Sequence, residues 1–79
     1  MKTFNLDKVN LKNKVIVHSL DCSGQIRRRL LDLGICRGTA ITPIFRSITG
    51  DSTAYLVRGS TIALRKEDAK NIQVILNNY

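Results

Sequence analysis

The sequence predicts a mainly β fold: a small, partly open, five-stranded barrel with one short α-helix and a late helical turn. Five short segments suited to strands are separated by tight turn signals, with no strand–helix alternation along the chain. One stretch, residues 23–33, repeats its apolar residues at helical spacing and is followed by a glycine. Its 79 residues, 43% of them apolar, suffice for one modest core, so residues 1–79 are expected to form a single domain.

In chain order, residues 4–13 alternate loosely. Phe4, Leu6, Val9 and Leu11 are apolar, and the segment is expected to lie on the core as an irregular arm. Residues 14–20 are β-branched and short, a first strand. The helix follows, with Asp21 or Ser23 placed to accept from its free first-turn N–H groups. Ile26, Leu30 and Leu33 make its core stripe, and Arg28 and Asp32, four apart, are positioned to pair. Gly34 suits the left-handed residue that ends a helix.

Arg37-Gly38-Thr39 reads as a turn and residues 40–48 as the next strand. Pro43 within it cannot donate to a ladder, so that position calls for an edge or a bulge. Residues 49–52 are a loop and 53–58 a strand. Gly59-Ser60 is the expected two-residue hairpin link, leading to a strand at 61–64. Residues 65–71 make a helical turn with Ala69 inward, and residues 72–76 close as a last strand. There is no internal repeat, linker or low-complexity segment.

Thirteen Lys and Arg against six acids give a net charge of +7, which favours an anionic partner such as nucleic acid, lipid headgroups or an acidic protein face. Apart from Arg27, Arg28 and Arg29, however, the charges are dispersed, as on any solvated basic surface. Two cysteines, Cys22 and Cys36, are too few for a disulfide framework and read as reduced thiols of a cytoplasmic protein. No signal-peptide apolar region is visible near the start, and no apolar run is long enough to span or insert directly into a membrane.

The search for chemistry returns little. His18 is the only histidine, and with Cys22 four residues on it reads as a strand-end residue beside a small apolar thiol rather than a nucleophile pair. His18, Cys22 and Cys36 match no closed zinc spacing, so no metal site, no cofactor and no useful iron affinity of the chain's own are expected. The acids are scattered, and adjacent Glu67 and Asp68 point apart on a helical turn, which leaves no acid/base pair. No Gly-Lys-Ser/Thr follows Gly34 and Gly38, so no phosphate loop is supported. The chain does not read as an enzyme.

Leu31 departs from its helix's pattern. At about 100° per residue it stands well off the Ile26/Leu30/Leu33 stripe. There it is either covered by another part of the chain, such as the N-terminal arm, or exposed; exposed and rimmed by arginines, it is a candidate anchor for a protein partner.

The stretch from Ile26 to Thr39 resembles the Arg-rich, Leu-Leu-x-Leu-Gly-apolar-x-x-Gly-Thr signature of the ferrous iron transport protein A (FeoA) family. Gly50-Asp51, Val57-Arg58-Gly59, Ile62-Ala63-Leu64-Arg65-Lys66-Glu67-Asp68-Ala69 and Ile72-Gln73-Val74 follow in that family's order and spacing. The resemblance implies a bacterial, cytoplasmic SH3-like barrel working beside FeoB, a membrane ferrous iron transporter with a cytoplasmic GTPase region. There are departures. Leu11-Lys12-Asn13 stands where a Pro-Gly turn is common, Arg37 where proline is frequent, and Ser52 where proline usually follows Gly-Asp. All three bear on loop stiffness and on recognition by loops, not on the fold.

Three function classes follow. The first is an accessory module that binds, regulates or assembles a FeoB-like transporter, with Arg27, Arg28, Leu31 and Arg37 as its partner-binding residues. The second is a stand-alone relative of the regulatory domain that ends iron-dependent repressors, although no helix-turn-helix precedes it here. The third is a basic RNA-binding barrel. Phe4, Phe45, Tyr55 and Tyr79 are few and not interleaved with the basic cluster, so no stacking platform for nucleic acid is supported.

Overall fold

The computed structural model describes residues 2–76; Tyr79 lies outside them. The chain folds as β1 (Phe4–Asn5), a 3-10 turn (Leu6–Lys8), β2 (Val15–Leu20), α1 (Gly24–Asp32), β3 (Ala40–Arg46), β4 (Ser52–Val57), β5 (Ser60–Arg65), α2 (Lys66–Ala69) and β6 (Ile72–Leu76). All strands join one antiparallel sheet in the order β1-β6-β2-β3-β4-β5.

That is one strand more than expected, because the head of the N-terminal arm pairs with β6 through Phe4–Val74 and Asn5–Gln73. The rest of the arm lies on the core as its alternation implied, with Leu6 and Val9 buried. Core side chains come from alternate positions: Val15 and Val17 on β2, Tyr55 and Val57 on β4, and Ile72 and Val74 on β6. Leu64 of β5 and Ile41 of β3 complete the layer.

Two bulges bend the sheet. Register slips between Val17 and Ser19, leaving His18 as the extra residue of β2. It slips again between Pro43 and Phe45, leaving Ile44 extra on β3. Pro43 is tolerated there for a visible reason. Its carbonyl accepts from the Lys12 N–H at 2.6 Å, so its nitrogen also faces away from β4. On that side β3 pairs with β2 only at Ile41 and Ala40, and no ladder donor is missed.

Two boundaries differ from expectation. β3 ends at Arg46, because the Ser47 N–H turns to the Ser52 carbonyl and closes the loop early. The β4–β5 link is Arg58-Gly59 rather than Gly59-Ser60, since Val57 pairs with Ser60. Both link residues have positive φ, 51° and 82°, the geometry that matches the twist of a two-residue hairpin.

Candidate partner-binding surface

Helix α1 ends in a complete C-terminal motif. The Gly34 N–H bonds to the Leu31 carbonyl at 2.9 Å and the Ile35 N–H to the Leu30 carbonyl at 3.0 Å, with Gly34 at φ +88°. This curls the chain so that Ile35 packs with Leu30, and both are fully buried. The motif also overturns the expected core stripe. Ile35 takes the place beside Leu30 that Leu33 was expected to fill, and Leu33 and Ile26 are each 39% exposed. A nine-residue helix touching the sheet through one buried leucine leaves its flanking positions half out.

The helix start differs as well. Gly24, its first residue, has φ +65°, so the first turn is irregular and the Ser23 hydroxyl makes no capping bond. Asp21 makes no capping bond either among the described hydrogen bonds.

Leu31 is 42% exposed, about as much as Ile26 and Leu33 on the stripe. Arg27 and Arg28 precede it by four and three residues and flank it on the helix surface. Arg27 is anchored, its Nη1 donating to the Leu20 carbonyl at 3.4 Å at the end of β2. Arg28 is exposed and borders a shallow depression with Gln25, Ile26, Arg29 and Asp32. The expected Arg28–Asp32 pair is absent among the described ion pairs, in keeping with the less favourable order of charges on a helix. Arg37 belongs to another element. It is the exposed second residue of the Cys36–Thr39 turn, closed by the Thr39 N–H to the Cys36 carbonyl at 3.0 Å with Gly38 at φ +91°. That is a position where proline fits.

Two arginines gained roles the sequence did not signal. Arg29 forms an ion pair with Asp68, tying α1 to α2; Asp68 is 6% exposed. Its partner lies 39 residues away in sequence, so no local spacing announces it. Arg58 lays its side chain over Gly34, Cδ 3.5 Å from where a Cβ would stand, with Nη2 3.8 Å from Cys36 Sγ. A cation there faces the carbonyl end of α1.

The groups considered for chemistry stand as follows. Cys22 packs against the core as a small apolar residue, and Cys36 contacts the Thr39 hydroxyl at 3.3 Å; both are free thiols. Among the described residues no three of His, Cys, Asp and Glu gather where a metal could be held. Tyr55 is a core residue, 1% exposed, so it offers no ring for stacking. No helix among the described residues is long and apolar enough to cross a membrane.

The family model of the FeoA domain matches residues 4–76. The chain is 27% identical over 71 residues to an Fe(2+) transport protein A/Fe(2+) transporter FeoB fusion protein of Porphyromonas gingivalis, a match covering 90% of this chain and 8% of that protein. It therefore spans only a small part of that relative. Its structure is similar to the NMR structure of a FeoA-like protein from Clostridium acetobutylicum, with 35% identity, a TM-score of 0.90, and coverage of 100% of this chain and 92% of the other. It is also similar to the crystal structure of Stenotrophomonas maltophilia FeoA complexed with zinc, described as a prokaryotic SH3 domain protein. That match has 25% identity and a TM-score of 0.79, over 95% of this chain and 91% of the other. The six-stranded sheet with its short helix is thus an SH3-like fold, and the chain belongs to the FeoA family, an accessory family linked to ferrous iron transport.

Proposed function

We propose that this chain is a cytoplasmic accessory protein that docks on the GTPase region of a FeoB-type ferrous iron transporter through the outer side of α1. The observation that carries the reading is Leu31, 42% exposed on a helix anchored by its neighbour Leu30. An apolar side chain held on a rigid element between two guanidinium groups has the make-up of an interface anchor with a charged rim. Arg37, exposed on the separate Cys36–Thr39 turn, is assigned to acidic groups of the partner.

The fusion relative supports this choice of partner. Joining two modules in one chain raises their effective concentration to roughly millimolar, so a modest contact suffices to hold them together. A small domain with one apolar anchor fits a contact of that kind.

The test compares neighbouring leucines on purified protein and the soluble GTPase region of the cognate transporter. Leu31→Ala is expected to weaken binding by about 1–2 kcal/mol while leaving the melting temperature near wild type. Leu30→Ala, which empties a fully buried site, is expected to cost about 2–5 kcal/mol of stability. Arg28→Glu should slow association and flatten its salt dependence. Unchanged binding by Leu31→Ala would rule out the α1 face.

A further inference from the structure

The open sheet has two edges. One is β1, only two residues long. The other is β5, six residues long, and its outer side has no backbone partner among the described residues. The hairpin register fixes which of its groups are free. Val57 and Ser60 close a two-residue link and so form a hydrogen-bonded pair, and alternation makes Tyr55–Ile62 and Thr53–Leu64 the next such pairs. The N–H and C=O groups of Thr61 and Ala63 therefore point outward, and both residues are exposed. Nothing blunts this edge between 60 and 64: the strand has no proline, no bulge and no charged side chain there.

An apolar strip runs to the edge and stops. Register sets Phe45, Ala54 and Ala63 side by side across β3, β4 and β5, on one face of the sheet. Phe45 is 59% exposed and Ala54 only 7%. Leu56, on the same face and opposite Thr61, is 40% exposed. The strip ends in a methyl group, with room beside Ala63 for a larger side chain on an added strand.

Charge selects the occupant. Arg58 stands in the turn at the start of β5, and Arg65, Lys66 and Lys70 line an open cleft at its end. The acids of that cleft are engaged or solvated. Asp51 accepts from the Thr49 hydroxyl at 2.7 Å and the Ser47 hydroxyl at 3.0 Å, which holds its carboxyl below the usual value. Glu67 approaches Arg65 at 3.6 Å with both side chains in solvent, a weak pair. A second copy of β5 is a poor partner. Antiparallel pairing of Thr61 with the other copy's Ala63 sets Lys66 against Arg58 at both ends, and like charges opposite one another oppose the pairing.

We propose that β5 is a docking edge for an extended acidic segment of another protein, which adds to the sheet as one more strand. The segment pairs its backbone with Thr61 and Ala63. It places an apolar side chain beside Ala63 and carboxylates against Arg58 at one end and Arg65 and Lys66 at the other. Strand addition draws its affinity from the main chain and its selectivity from alternate side chains. This edge meets the α1 end through Arg58, whose side chain lies over Gly34, and the proposal does not rest on the transporter reading.

The probe is a capped synthetic peptide of alternating glutamate and valine, about eight residues long, enough to cover a strand of ordinary length. It is titrated into isotope-labelled protein at low salt and followed by NMR. The Thr61 and Ala63 amides should shift and become slower to exchange with water, and binding should weaken as salt is raised. A copy of the peptide methylated at every backbone nitrogen should bind on the order of thirtyfold more weakly, the loss expected for the two ladder hydrogen bonds given to the Thr61 and Ala63 carbonyls. A lysine–valine peptide should not bind. Ala63→Pro removes one outward donor that β4 does not use, so it should weaken peptide binding on the order of fivefold, less than methylation does. If that variant fails to fold, the methylated peptide carries the comparison by itself. Equal binding of the methylated and plain peptides overturns the proposal. So do shifts centred on α1 or on residues 66–70 instead of 61 and 63, or no binding at millimolar peptide.

Discussion

Lys12 and Arg58 are the non-glycine residues with positive φ among those described, at 71° and 51°. A side chain in that region costs about 1–2 kcal/mol, and the two residues differ in what they gain for it. Lys12 is exposed and is the third residue of the turn closed by the Asn13 N–H to the Asn10 carbonyl at 3.3 Å. The FeoA pattern has a Pro-Gly turn in the stretch that is here Leu11-Lys12-Asn13, and this turn favours a glycine at its third residue. Lys12→Gly is therefore expected to stabilise the protein by about 0.5 kcal/mol, because relief of the strain exceeds the extra freedom glycine gives the unfolded chain. In a protein this small the melting temperature should rise by about 2–4 °C, as read in a thermal scan. Arg58 bears the same strain but lays its side chain over Gly34 at the carbonyl end of α1. Arg58→Gly should accordingly gain little or nothing.

At the level of elements, α1 buries only one leucine, so its ion pair to α2 bears heavily on how the helix sits. Its two ends are unequal. The Arg29 side chain is 57% exposed and that of Asp68 only 9%. Removing the carboxylate lets the guanidinium turn to water. Removing the guanidinium strands a buried charge. Arg29→Ala is thus expected to cost about 2–3 kcal/mol and Asp68→Asn about 1 kcal/mol, as measured by urea denaturation. Equal losses would mean that the pair is as solvated as a surface bridge.

On the scale of the whole molecule, the core contains a tyrosine. Burial pushes the Tyr55 hydroxyl above its usual value of 10.0, with a hydrogen bond to Thr53 pulling the other way. The folded state then holds that proton longer than the unfolded state does. The contribution to stability is complete below pH 10 and is lost as pH rises beyond it. Urea midpoints measured from about pH 8 to 11 should fall steeply at the alkaline end in wild type and less steeply in Tyr55→Phe. A parallel fall in both would place the alkaline loss elsewhere, in the lysines.

The sequence determined what depends on neighbours along the chain. Strand periodicity located β2, β4, β5 and β6 to within a residue or two, and Gly34 fixed the end of α1, because pleat and helix termination are short-range properties. The alternation within residues 4–13 placed Leu6 and Val9 on the core. The helical angle set Leu31 off the stripe but left open whether another segment covers it, and the stripe residues Ile26 and Leu33 are nearly as exposed. What the sequence left undecided was which apolar residues the helix buries. That depends on the single point at which α1 meets the sheet and on Ile35 curling beneath it, and no periodicity contains either fact. The Arg29–Asp68 pair, the sixth strand and the free edge of β5 are likewise matters of tertiary structure. Each depends on which segments, distant in the chain, the sheet order brings together or leaves without a neighbour.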